Sequence, residues 1–142
     1  MADFGSFSSV IHPAVVHFPV ALILTTCALS IIYVWRKHVL NMSFTIKLLA
    51  VLSAISAWVG VISGGLTADM SGFANTVEGW HHACAIATSV LISLSAIGFL
   101  LTPKEGGQEW LKWMSLVLLL LSGAGIAATG YFGGYIVYNI LL

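Results

Sequence analysis

Four long apolar runs without a charged residue determine what this chain can fold into. They cover residues 14–35, 48–66, 83–101 and 114–138. As helices, runs of roughly 20 residues cross a hydrocarbon core about 30 Å thick. Strands of a membrane barrel would alternate polar and apolar residues, and these runs do not. Only 7% of the residues are charged, against about a quarter in soluble domains. We therefore predict an all-α protein, a four-helix transmembrane bundle.

Short connections join the four runs, so residues 1–142 are predicted to form a single membrane domain. Turn residues after the first and third runs pair the helices as two similar hairpins in up-down-up-down order. The first run lacks a basic leader and is too long for a cleaved signal peptide. The predicted helices cover about residues 14–35, 46–68, 81–101 and 112–139.

All basic residues fall on one side of this predicted topology, and that side sets the orientation. Because short loops rich in Lys and Arg are retained in the cytoplasm, both termini are expected outside the cell, in a prokaryotic plasma membrane. The chain forms no clustered basic patch, so no nucleic acid partner is expected. The five basic residues of the chain are Arg36, Lys37, Lys47, Lys104 and Lys112.

Four of the five histidines lie at the predicted outer ends of the first and third helices: His12, His17, His81 and His82. Two imidazoles can fill both axial positions of a haem iron, which gives a centre suited to electron transfer. No Cys-x-x-Cys-His motif is present, so a haem would be b-type. The fifth histidine, His38, is interpreted as a solvated loop residue.

Helix depth and helix geometry suggest which histidines are ligands. His17 is preferred to His12, because it lies one turn deeper and Pro13 makes His12 a boundary or cap residue. Adjacent helical residues point about 100° apart, so His81 and His82 cannot easily share one role. The sequence leaves these two open, with a slight preference for His81. His82 would then be free to contact a propionate, a quinone or a partner.

Small residues recur at the same spacing in the second and fourth helices, which suggests a weak internal repeat. The rows are Ser53, Ala57, Gly60 and Gly64, and Gly123, Ala127, Gly130 and Gly134. One interpretation is close helix packing in lipid. Combined with the histidines, the rows suggest clearance for a porphyrin, with Gly60, Gly64, Gly130 and Gly134 at its edges.

Three features together resemble a known family. They are the His-Pro-x-x-x-His-Phe-Pro motif of residues 12–19, the histidine at the start of the third helix, and the glycine pair followed by tyrosine in residues 130–138. The chain resembles a prokaryotic family of four-helix membrane proteins classified as a domain of unknown function. Some members are joined to Rieske iron-sulfur domains or occur with haem proteins, so the resemblance implies redox work. We expect no such extension here, so a redox partner would be a separate protein.

The leading hypothesis is a small cytochrome b subunit of a larger redox complex, with a bis-histidine haem near the outer membrane face. Its partners would be other membrane redox subunits, quinol, and an extracytoplasmic cytochrome c or Rieske protein. A second hypothesis is a copper or zinc site without porphyrin, formed by the four outer histidines with Asp69 and Met70. A third is an accessory subunit without a cofactor. An electron-transfer or accessory subunit is expected rather than a stand-alone enzyme.

Overall fold

The computed structural model of the chain describes residues 4–35, 42–67, 76–102 and 109–138. Within these residues the structure is helical and contains no strand. Each helix has a segment long and apolar enough to cross a membrane. The predicted four-helix membrane fold is therefore confirmed. The helices are α1 (Phe4–Trp35), α2 (Ser43–Thr67), α3 (Val77–Leu101) and α4 (Glu109–Ile136).

All four helices begin earlier than the apolar runs predicted, and α1 differs most. It starts at Phe4 and continues through both Pro13 and Pro19, so the predicted cap role of His12 is wrong. A proline lacks a backbone N–H, but membrane helices tolerate it because leaving the helix would expose more backbone groups to lipid. At the start of α3, the Thr76 hydroxyl caps the helix by accepting a hydrogen bond from the Gly79 N–H at 3.2 Å.

The four helices form a closed ring. Each helix contacts the helix before it and the helix after it in the chain, and α4 closes the ring by contacting α1. The contact of α3 with α4 is the most extensive, followed by α1 with α2, α2 with α3, and α1 with α4. The two hairpins are therefore the tightly packed units. In this ring α1 and α3 lie on a diagonal, so their inward-facing side chains meet across the axis of the bundle.

Buried positions recur every seven residues along the helices, as in a left-handed helical bundle. Most carry small or hydroxyl side chains, which let helix backbones approach closely in lipid. Several of these hydroxyls donate to the carbonyl four residues earlier in their own helix, as Ser115 does to Leu111 and Ser122 to Leu118. The recurring buried positions are Pro19 and Thr26, Ser53 and Gly60, Thr88 and Ser95, and Ser115, Ser122 and Thr129.

The end of the bundle opposite the histidines contains the described lysines. The Lys47 ammonium, at the start of α2, donates to the Thr102 carbonyl at the end of α3, at 2.8 Å. The Lys112 ammonium lies 4.0 Å from a Glu109 carboxylate oxygen and 5.4 Å from the centre of the Tyr33 ring. The remaining basic residues and His38 lie outside the described residues, so the orientation in the membrane stays a prediction.

One close contact inside the second hairpin leads to a test of the packing. A Cβ atom added at Gly125 would lie 2.4 Å from the Thr88 hydroxyl oxygen and 3.4 Å from its Cβ. Because Thr88 is β-branched, its rotation is restricted, and one of its two other rotamers would put its methyl group in the same space. We expect Gly125→Ala to lower the free energy of unfolding by about 1 to 3 kcal/mol, measured by denaturant titration in detergent micelles.

Gly130→Ala is the matched control for this prediction. It lies in the same helix, and an added Cβ there would have no neighbour within 4 Å. Its unfolding free energy should equal or exceed that of the natural chain, because alanine favours the helix. Equal losses in the two variants would contradict the packing described here.

Candidate functional site

An imidazole pair, His12 and His81, lies at the end of the bundle opposite Lys47 and Lys112. His12 belongs to α1 and His81 to α3, so the rings meet across the diagonal. Their ring centroids are 6.4 Å apart and their planes are perpendicular, at 89°. Both side chains are half-buried. His81 is the fifth residue of α3 (Val77–Leu101), so the pair lies near one end of the helix bundle.

Hydrogen bonding fixes which nitrogen of His12 carries the proton. Its Nδ1 lies 2.8 Å from the Ser63 hydroxyl oxygen on α2. When the Ser63 hydroxyl donates its single hydrogen to the Gly60 carbonyl, 2.9 Å away, the serine oxygen accepts in the contact with His12. The Nδ1–H of His12 is therefore the donor, and the neutral ring has its lone pair on Nε2.

His81 is held in the same tautomer by a different partner. Its Nδ1 lies 2.9 Å from the backbone carbonyl of Thr129 on α4. A carbonyl only accepts, so Nδ1 carries the hydrogen and the lone pair of the neutral ring is again on Nε2. Within the described part of the chain, neither Nε2 has a hydrogen-bond partner. Orienting hydrogen bonds of this kind at Nδ1 are typical of histidines that bind a metal through Nε2.

Each ring of the pair packs against a glycine in the second helix of its own hairpin. A Cβ added at Gly64 would lie 2.9 Å from Cε1 of His12, and one at Gly133 would lie 3.1 Å from Cε1 of His81. Histidine and glycine are 52 residues apart in both hairpins. Each residue of the first contact therefore lies 69 positions before its counterpart in the second hairpin. In the small-residue rows the offset is 70, as from Gly64 to Gly134.

His17 is not part of this arrangement. It is exposed, and its Nδ1 donates to the Pro13 carbonyl of its own helix. Five residues turn an α-helix by about 500°, so His17 points roughly 140° away from His12. The prediction preferred His17 because it lies deeper along the helix. The direction of the side chain around the helix axis decides instead, and it is His12 that points toward His81.

His82 faces a different neighbour from His81, in agreement with the expectation that adjacent histidines do not share a role. Its Cε1 lies 3.9 Å from the position of a Cβ added at Gly65, on α2. His81, in contrast, contacts α4 through Gly133 and Thr129. His82 is half-buried, and its ring has no hydrogen bond to a described residue.

The four glycines predicted to flank a cofactor have three different surroundings. Gly64 lies against the His12 ring, while a Cβ atom added at Gly60 would make only ordinary contacts with Pro19 and Val16, at 3.7 and 3.8 Å. At Gly130 and Gly134 they would meet nothing within 4 Å. For Gly60 the contacts agree with the interpretation as close helix packing.

Three residues of the site were missed by the sequence analysis. Gly133 could have been found from its spacing to His81, which repeats that of His12 and Gly64. Ser63 lies next to Gly64, but a serine in an apolar helix has no distinctive signal. Thr129 contributes its backbone carbonyl, which no side-chain motif could reveal.

No group of three or more His, Cys, Asp or Glu side chains suited to hold a metal ion occurs in the described part of the chain. Asp69 and Met70, the further ligands of the metal hypothesis, lie outside the described residues. Cys27 is buried, and its thiol donates to the Leu119 carbonyl at 3.4 Å. What the structure brings together at this end of the bundle is therefore a pair of imidazoles with a third one beside it.

Fold and site define an integral membrane protein with an imidazole pair across the diagonal of a four-helix bundle. A family model described as "Predicted membrane protein (DUF2231)" matches residues 8–141, and the chain belongs to this family. The resemblance seen in its motifs is thereby confirmed. Searches of the curated proteins and of the solved structures gave no match.

The contact between Gly64 and His12 can be tested by substitution. We expect Gly64→Ala to displace the His12 ring and break its hydrogen bond to Ser63, because the new methyl group would lie 2.9 Å from Cε1. The free energy of unfolding should fall by about 1 to 3 kcal/mol. Denaturant titration in micelles measures this change.

Gly65→Ala is the matched control, since its methyl group would lie 3.9 Å from Cε1 of His82, an ordinary contact. It should stay within about 0.5 kcal/mol of the natural chain, as most substitutions outside tight packing do. A larger loss in Gly65→Ala than in Gly64→Ala would be inconsistent with the site geometry.

Proposed function

We propose that this protein is an electron-transfer subunit that holds one b-type haem between His12 and His81. The observation that carries the proposal is the imidazole pair itself. Both rings are fixed with hydrogen on Nδ1 and the lone pair on Nε2, and they belong to helices on the diagonal of the bundle. Two imidazole lone pairs on rings whose centroids are 6.4 Å apart favour binding of an electron-pair acceptor.

The separation of the rings supports coordination of a single metal centre. Two imidazoles on opposite sides of one metal, with bonds of about 2.0 to 2.1 Å, have ring centroids roughly 6 to 7 Å apart. The observed distance is 6.4 Å. A haem iron receives four nitrogens from the porphyrin and needs only two from the protein, which is the number that this pair supplies.

A bis-histidine haem, when bound, exchanges single electrons at an iron with no open position. The residues of this chain hold and orient its ligands. Ser63 and the Thr129 carbonyl fix the tautomer and direction of the two rings, as outer-shell partners of metal ligands do. Gly64 and Gly133 let the rings lie close against α2 and α4.

The direction of insertion and the partners belong to the same proposal. Lys47 and Lys112 lie at the end opposite the imidazole pair, and the preference of basic segments for the cytoplasm would put the pair at the outer face. In a prokaryotic plasma membrane, both termini would be extracytoplasmic. Electrons would pass between quinol in the bilayer and an extracytoplasmic carrier, such as a cytochrome c or a Rieske protein, within a larger membrane complex.

A copper or zinc site without porphyrin is the second candidate, and His82 is the observation that favours it. This imidazole directly follows His81 in the chain and is half-buried at the same end of the bundle. Three imidazoles are a common ligand set for these metals. Asp69 and Met70 would be the further ligands in this case.

Visible spectroscopy of the purified protein tests the haem proposal. The dithionite-reduced minus oxidised spectrum should show a sharp α-band, and the pyridine haemochrome should be b-type. His12→Ala and His81→Ala should each lose the band, because each removes an axial ligand. His17→Ala is the matched control on α1 and should keep it, since His17 is exposed and bonded to its own helix.

Protein that folds without iron would refute the haem proposal, and so would loss of the band in His17→Ala together with its retention in His12→Ala. Stoichiometric copper or zinc without an α-band would favour the second candidate. Folded protein free of iron, copper and zinc would favour an accessory subunit that anchors a membrane complex.

A further inference from the structure

His82 is half-buried at the same end of the bundle as His12 and His81, but it is not a ligand in the haem proposal. The other two half-buried histidines at this end, His12 and His81, each donate through Nδ1 to a neighbouring helix. The ring of His82 has no such bond to a described residue, although it is removed from water to a similar degree. An imidazole has one donor and one acceptor, and leaving both unpaired in a half-buried place costs free energy.

The surroundings of His82 lie between the two hairpins. Its ring faces Gly65 on α2, where an added Cβ would only reach contact distance, 3.9 Å. α2 and α3 pack less extensively than the two helices within either hairpin. Further along the same two helices, the Trp58 N–H donates to the Ser93 hydroxyl at 3.1 Å and so links α2 to α3. Ile62, exposed on α2, makes the surface near Gly65 apolar.

The acidic side chain of Glu78 lies one turn before His82 on α3, so the charge at this end disfavours an anionic ligand. None of the five Lys and Arg residues of the chain is near His82 in sequence, and the two that are described, Lys47 and Lys112, lie at the opposite end. The phosphate of a lipid headgroup would therefore find no cationic partner here. A neutral ring that carries oxygens matches an imidazole with one donor and one acceptor.

We infer that His82, with Gly65 beside it, binds the ring of a quinone or quinol dissolved in the bilayer. The imidazole N–H would donate to a quinone carbonyl, and the imidazole lone pair would accept from a quinol hydroxyl, so both oxidation states can bind. The redox class of this ligand rests on the proposed function, since His82 directly follows the haem ligand His81. Binding itself requires only His82 and the apolar surface beside Gly65.

Quinone binding can be measured without haem chemistry. The protein, reconstituted in phosphatidylcholine nanodiscs, is titrated with decylubiquinone, and quenching of tryptophan fluorescence is recorded. Trp80 lies two residues from His82, and Trp58 lies on the same pair of helices. The natural chain should show saturable quenching. His82→Ala should weaken the affinity roughly 2- to 12-fold, the value of one net hydrogen bond.

A bulkier residue at position 65 provides a second variant that keeps the imidazole. Gly65→Leu should abolish saturable quenching, because its side chain would occupy the place next to the ring. The controls are Gly134→Leu, where an added Cβ meets nothing within 4 Å, and His17→Ala on the exposed face of α1. Both should bind the quinone within about twofold of the natural chain, less than the loss of one hydrogen bond.

The outcomes separate this inference from the haem proposal. Quenching that does not saturate in the natural chain, or an affinity unchanged in His82→Ala, overturns the quinone site even if the α-band is present. An affinity loss in His17→Ala equal to that in His82→Ala also overturns it. Saturable binding that depends on His82 in protein without an α-band supports the quinone site while the haem proposal fails. His82→Ala should retain the α-band, since His12 and His81 remain.

Discussion

The structure depends on the absence of water from the membrane interior, which leaves polar groups to find their partners inside the protein. Backbone groups are satisfied by continuous helices, and α1 continues through two prolines because a break would expose more carbonyls and amides to lipid. The same constraint applies to side chains. Buried hydroxyls turn back to their own helix, as Thr26 does to the Leu22 carbonyl and Thr129 to that of Gly125.

Close approach of the helices follows from these small hydroxyl residues and glycines. Lipid provides little hydrophobic drive for helix association, so contact area and cross-helix hydrogen bonds stabilise the bundle. The Ser95 hydroxyl, for example, donates to the Ser115 carbonyl across the α3–α4 contact at 2.7 Å. Tight packing can also leave a polar atom unpaired. Thr88 presses its hydroxyl against Gly125 and finds no partner for it among the described residues.

The imidazole pair depends both on close helix packing and on hydrogen bonds inside the protein. Glycines at equivalent positions of the two hairpins let His12 and His81 reach the interior, and hydrogen bonds to the following helix fix both rings. The partners differ, a serine hydroxyl in the first hairpin and a backbone carbonyl in the second, yet they select the same tautomer. Two copies of one hairpin, packed around a common axis, thus place two equivalent lone pairs at the same end of the bundle.

The sequence by itself determined the membrane location, the number of helices, their pairing in hairpins and the end at which the histidines gather. Each of these follows from hydropathy, length and the alternation of crossings, which are properties of position along the chain. Only the tertiary structure decided that His12 rather than His17 meets His81, and that Gly133 rather than Gly134 lies against the ring. Neighbouring residues on a helix differ by about 100° in direction, and the side that faces the interior is set by packing against the other helices. Depth in the membrane can be read from a sequence, but direction around the helix axis requires the packed bundle.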